Sequence, residues 1–303
     1  MRITNNMLIN NMMQNLSSNL LRTQKYLNQL ASGKKISLPS DDPVVASKAL
    51  KLRTDVAEIG QYKRNTDDAT AWMEITESTL NQMTELVHRV KELTNQAANG
   101  TNTTEDELKI QEEIAGLKSQ LISLGNATYA GRYIFSGYKT DKPLLNDDGT
   151  FNIDVYNSEQ IKFEIGIGDN ININVPGGDL FNRTTSVATA GNKSEFVDTF
   201  DKIISALESD DKEKLSSLLG DIDDDLNNLL RVRAGLGARM NRVELTAGRI
   251  EDDKINFTRL MSINEDVDIA EAIMNLSNEE NVYRASLATG ARVIQPSLVD
   301  FLK

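Results

Sequence analysis

Asp221, Asp223 and Asp225 alternate along "DIDDDL" as the carboxylates of a calcium loop do, because such a loop takes an oxygen ligand from every second residue. That reading stops at Leu226, which stands where the loop needs glycine for its sharp turn. A heptad of apolar residues also runs through the segment, so a solvated acidic helix face is the expectation. "NDDGT" (146–150) lacks the upstream ligands of a calcium loop. "GIGDNI" (166–171) begins like a dinucleotide fingerprint but has no third glycine and opens no helix, so a turn between strands is expected there. His88, the single histidine, has no triad partner or ligand set at useful spacing. Without cysteine, thiol nucleophiles, disulfides and cysteine-based zinc sites are excluded. No catalytic, cofactor-binding or metal-binding residue is assigned, and the chain reads as non-enzymatic.

The elements that would have to position such residues serve another purpose. In 303 residues, 26% are charged and only 5% aromatic, which suits long helices packed side by side better than a thick globular core. The net charge of −12 is uneven: residues 1–40 hold Arg2, Arg22, Lys25, Lys34 and Lys35 and no acid, and subtracting these five leaves −17 on the rest. So acidic a bulk argues against nucleic acid as a partner, since phosphate contacts need Lys and Arg. A solvated helix face and a binding role both account for the basic start. The opening "MRITNNMLINNMMQNLSSNL" is not expected to act as a cleavable secretion signal, and no stretch approaches the run of about 18 apolar residues that a membrane span requires.

Ile9, Met13, Leu16, Leu20, Thr23, Leu27 and Leu30 are spaced 4, 3, 4, 3, 4, 3, the seam of a coiled coil. The helix is expected to end at Gly33, and Pro39 and Pro43 keep the residues before them out of the α region. Ser40, Asp41 or Asp42 can cap a second helix that starts at Pro43. Gly33, Pro39, Asp41, Asp42 and Pro43 therefore form an ordered joint. The second helix repeats Val45, Leu52, Ile59, Thr66, Met73, Leu80, Val87 and Thr94 at sevens. Its companion positions are Ala49 and Val56 before Met73 and Thr76, Met83 and Val90 after it, a change of side expected near Met73. After a turn at 99–107, capped by Thr103 or Thr104, a third helix runs through Ile110, Ile114, Leu117, Leu121, Leu124 and Thr128.

From Gly131 to about Gly191 the period becomes two, with strands expected in "GRYIFSGYKT", "TFNIDVY", "IKFEIGI" and "NININVPGG" and a hairpin turn at Asp148-Gly149. Helix returns from Lys193 to about Leu207 and from about Lys212 to Ile263, with Leu229, Leu236, Val243, Ile250 and Phe257 at heptads. "NEDVD" (264–268) makes a second joint, and a last helix places Ile269, Ile273, Leu276, Tyr283, Leu287 and Ile294 on one face before Pro296. The fold expected is mainly α: an elongated bundle and coiled coil of N- and C-terminal helices with one small antiparallel β insertion. The divisions are 1–42 (assembly helix and joint), 43–130 (long helical hairpin of a core rod), 131–192 (β insertion), 193–264 (returning helices) and 265–303 (C-terminal assembly helix). Lone heptad helices are unstable in water, so the terminal helices should pair with each other or with those of other copies.

"QLASGKKISLPSDDPVVASKAL" (29–50) and "DVDIAEAIMNLSNEENVYRASLATGARVIQPSLVDFLK" (266–303) resemble the two end signatures of the bacterial flagellin family. "MRITNNM", "GRYIFSGYKTDKPLL" and "PSLVDFLK" resemble the members that join hook to filament more than filament flagellins. The resemblance implies export through the flagellar apparatus to an extracellular position in the flagellum. It also implies terminal helices that line an inner tube, with Leu16, Leu20, Leu27, Leu30, Ile273, Leu276, Tyr283 and Leu287 as assembly residues. The implied partners are copies of the chain in a ring, a neighbouring hook-associated protein on the hook side, flagellin on the filament side, and an export chaperone holding the C-terminal helix. Neither nucleic acid nor membrane insertion is implied. A filament-forming flagellin and a secreted coiled-coil effector or adhesin with a ligand-binding β insertion are the alternatives.

Overall fold

The computed structural model describes residues 5–36, 38–99, 103–184 and 187–294. The helices are α1 (Asn5–Ser32), α2 (Pro43–Ala98), α3 (Thr104–Gly125), α4 (Gly177–Phe181), α5 (Glu195–Glu208), α6 (Lys212–Glu265) and α7 (Ile269–Ile294). The strands are β1 (Thr128–Tyr129), β2 (Arg132–Tyr133), β3 (Lys162–Gly166) and β4 (Asp169–Asn172). The chain divides into two compact units, residues 1–58 with 253–303, and residues 59–252. The stop expected at Pro296 lies outside the described residues.

In the unit of residues 59–252, the heptad residues of α2 and α6 form the core: Met73, Leu80, Val87, Leu229, Leu236 and Val243 are all buried. Thr66, Thr76 and Thr94 sit on the same seam because each hydroxyl donates to the carbonyl four residues back, at 2.8 to 2.9 Å, and so carries no unpaired polar atom into the core. Ala69 is fully buried too, so the companion position has already changed side before Met73. An alanine adds little to a hydrophobic pattern, which is why the sequence places the change late. Lys63 with Glu251, Glu77 with Arg233 and Lys91 with Asp223 pair α2 with an antiparallel α6.

The insertion departs from its expected strands. α3 stops at Gly125 instead of reaching Thr128. Asn126 ends it by bonding Leu145 through both side-chain atoms, at 2.8 and 3.0 Å. β1 pairs with β2 across Ala130 and Gly131, both at positive φ, and β3 pairs with β4 around Gly168. These are two separate antiparallel hairpins. Among the described residues "TFNIDVY" forms no ladder and makes isolated bridges, Leu145 to Phe151, Thr150 to Lys193 and Val155 to Ala188. "NVPGG" ends in a one-turn helix, α4. At Gly177 any Cβ would overlap the Leu144 side chain, so only glycine fits. The apolar residues of the insertion are nonetheless inward: Phe135, Phe151 and Phe181 are fully buried in the core that also holds Phe196 and Phe200 of α5. Burial against helices, not strand pairing, holds this segment.

The acidic run of α6 is not the wholly solvated face expected of it. Asp225 is buried, with its carboxylate 3.2 Å from the Arg183 guanidinium, which lies 3.7 Å from both Asp221 and Asp224. Burial pushes the Asp225 carboxyl up to about 7, against the attraction of Arg183.

Candidate assembly face and joint

The unit of residues 1–58 and 253–303 contains every residue expected to act in assembly. At the first joint α1 ends on Gly33, whose φ of +70° is the left-handed conformation of a helix C′ residue. Its N–H donates to Gln29 O at 2.8 Å, and its carbonyl accepts from Val267 N–H at 3.0 Å. Lys34 and Asp266 form an antiparallel bridge, and Lys35 N–H donates to Glu265 O at 2.7 Å. The two joints are therefore bonded to each other through their backbones.

Pro39 follows Leu38 in a turn closed twice, by Asp41 N–H to Leu38 O (3.0 Å) and by Leu38 N–H to Asp41 Oδ2 (2.9 Å). Asp42 caps α2, its Oδ1 accepting from Val44 and Val45 N–H at 3.0 and 3.1 Å, with Pro43 in the first helical position. Asp268 caps α7 in the same way, through Ala270 and Glu271 N–H. Capping by Asp42 satisfies donors that an α-helix start leaves open, so the chain direction through this loop is fixed locally.

A buried carboxylate ties the joints to α2. Glu265, with its side chain 2% exposed, accepts from Arg53 Nε at 2.6 Å and Nη2 at 2.7 Å, and Lys34 Nζ lies 3.3 Å away. Lys34 Nζ also donates to Asp266 at 2.6 Å. The Arg53 hydrogen bonds hold the Glu265 carboxyl below its usual range, and the Lys34 hydrogen bond does so for Asp266; the two cations are raised in turn. Sequence reasoning missed Glu265 and Arg53. Glu265 does fall within the "NEDVD" segment marked as a joint, but its partner is 212 residues distant.

α1 packs antiparallel on α7 along a seam that differs from the one spacing selects. Ile9, Leu16, Thr23 and Leu30 are half-buried, as expected. The companion stripe is Met12, Asn19 and Tyr26, whereas Met13, Leu20 and Leu27 are exposed. Asn19 is the buried residue of this stripe: its Nδ2 donates to Ser286 Oγ at 2.9 Å and its Oδ1 accepts from Arg22 Nη2 at 2.5 Å. Arg22 Nε in turn donates to Glu279 Oε1 at 3.0 Å. Met12 lies over Gly290, where any Cβ would overlap its side chain. On α7, Ala272, Leu276, Glu279, Tyr283, Ser286 and Gly290 turn inward at spacings of 4, 3, 4, 3, 4. Of the eight assembly residues, Leu16, Leu30, Leu276 and Tyr283 thus lie on half-buried faces, while Leu20, Leu27, Ile273 and Leu287 stay exposed, 43% or more each. No helix among the described residues is long and apolar enough to cross a membrane.

The family model of the bacterial flagellin N-terminal helical region matches residues 3–140, and that of the C-terminal helical region matches 219–302. Flagellar hook-associated protein 3 of Escherichia coli is 32% identical over 94% of this chain and 95% of its own. The chain belongs to the bacterial flagellin family. Other members include the flagellin of Bacillus subtilis, 27% identical over 97% of both chains. Among solved structures, that of a putative flagellar hook-associated protein from Vibrio parahaemolyticus superposes with a TM-score of 0.65 at 23% identity, covering 74% of this chain and 99% of that one. This chain shares the flagellin-like fold, and as a member of the family its role in the flagellum is structural.

Proposed function

We infer that this flagellin-family chain is a non-enzymatic subunit that joins the hook to the filament and lets flagellin polymerise, as motility requires. The observation that carries the reading is the exposure of Leu20, Leu27, Ile273 and Leu287 on α1 and α7 after those helices have paired with each other. Stripes at heptad spacing gain about 25 cal/mol per Å² when another helix covers them, so the subunit has an apolar contact in reserve for further copies arranged in a ring. In this reading residues 1–42 and 265–303 make the assembly part, 43–130 and 193–264 the core rod, and 131–192 the outward-facing insertion. The neighbours are a hook-associated protein on one side and flagellin on the other. The subunit works outside the cell after passing the flagellar export apparatus, with its C-terminal helix held by an export chaperone beforehand.

The test is deletion of the gene in its motile host, with negative-stain microscopy and an immunolabel against the protein in the parent strain. Bare hooks, free flagellin in the medium and label confined to the hook–filament boundary are expected. The similarity to Bacillus subtilis flagellin along nearly the whole chain favours filament formation as the second reading. Label along the full filament would establish that instead, and intact motile filaments in the deletion strain would overturn both.

A further inference from the structure

Two stripes flank the row Ile9, Leu16, Thr23 and Leu30 on α1, and either would complete a heptad seam. Met13, Leu20 and Leu27 are uniformly apolar; Met12, Asn19 and Tyr26 include a buried amide. Burial of apolar area alone would select the first. α1 uses the second against α7.

We propose that Asn19 is a positioning residue that chooses which seam of α1 meets α7 and in what register, and thereby keeps the Met13, Leu20 and Leu27 stripe outside the pair. Its Nδ2 finds its acceptor in the Ser286 hydroxyl of the opposite helix, while its Oδ1 accepts from Arg22 three residues along α1, and Arg22 is itself held by Glu279 of α7. Turning α1 to its apolar seam, or sliding it by a heptad, removes Asn19 from Ser286 and leaves the amide buried without that partner or pulls it into water. A lone polar residue at a seam position sets register in this way at some cost in stability. One heptad along α1 from Asn19, Met12 lays its thioether over Gly290, where the lack of a side chain leaves room for it. This choice is made between two helices of one chain, whatever covers the exposed stripe.

The chain has no cysteine, so Gln24→Cys and Asn281→Cys, both at exposed positions, give unique sites for two spin labels on the full-length protein. Pulsed electron resonance should give one narrow distance in this background. Adding Asn19→Leu should split or shift the distribution, a heptad slide amounting to about 10 Å along the axis, while the melting temperature stays level or rises. Adding Leu20→Ser as well weakens the competing seam and should restore the single distance. An unchanged narrow distribution in Asn19→Leu would overturn the proposal. So would a broad distribution before Asn19 is altered, because the polar layer would then fix no register, or a failure of Leu20→Ser to restore the single distance.

Discussion

The guanidinium of Arg53 grips the carboxylate of Glu265 with two hydrogen bonds, at 2.6 and 2.7 Å, across 212 residues of sequence. Since Lys35 N–H donates to the backbone carbonyl of the same glutamate, one residue joins the first joint, the second joint and the start of α2. Glu265→Gln weakens the charge-assisted pair and should cost about 1–2 kcal/mol, less than a fully buried pair because Arg53 is largely in water. Hydrogen exchange at the amides of Lys35 and Val267, which close the joint, measures it: both should exchange faster in the variant.

The same clasp sets a response to acid. Glu265 and Asp266 have their folded values depressed, so their contribution is complete above the ordinary carboxylate range and fades as pH falls through the lower folded values. Stability of the joint should therefore be flat near neutrality and drop on acidification below about pH 4. In Glu265→Gln the drop should be shallower. Exchange at Val267 followed against pH would show no difference between the two proteins if the clasp were idle.

Asp225 behaves in the opposite sense. Its folded value is raised to about 7, so the folded chain holds the proton longer than the unfolded one does, and stability declines as pH rises between the ordinary carboxylate value and about 7. Asp225→Asn removes that slope. Denaturant unfolding at pH 5 and pH 8 should show the variant gaining on the parent at the higher pH. Parallel behaviour at the two values would mean that Arg183 fully compensates the buried charge.

Leu20→Asp, Leu27→Asp and Leu287→Asp change exposed side chains, so each should alter unfolding free energy by no more than about 0.5 kcal/mol while abolishing incorporation into flagella. Leu16→Asp, on the half-buried row, should lower stability as well. Complementation of a deletion strain, paired with thermal melting of the purified variants, separates the two outcomes. Normal incorporation of Leu20→Asp would remove that residue from the assembly face.

Sequence periodicity reads the long helices well because Met73, Leu80, Val87, Leu229, Leu236 and Val243 meet apolar neighbours at every heptad. It misreads α1, where hydrophobicity favours Leu20 over Asn19 and the groups that pair with Asn19 and Arg22, Ser286 and Glu279, lie at the far end of the chain. It misreads the insertion for a different reason. Alternation in "TFNIDVY" does record which side chains point inward, but the backbone groups of Phe151 and Val155 bond to Asn192 and Ala188 and not to an adjacent strand. Alternation reports burial and says nothing of what the amides pair with. At the joint, Asp42 and Pro43 are legible because a cap acts on its own next residues. Glu265 is not, because nothing near it in the chain calls for a buried charge.

The hydrogen bond from Asn19 to Ser286 spans 267 residues. Closing so long a loop in a chain still unfolded would cost about 5 kcal/mol in entropy, a cost that falls as the loop is shortened by folding within it. Loop entropy therefore favours pairing of α1 with α7 after the chain between them has begun to fold. A chain that appears from its N-terminus presents α1 first and completes it last, and throughout that delay Met12 and Tyr26 are as bare as Leu20 and Leu27, so the time spent waiting for α7 is when the helix is most open to mispairing.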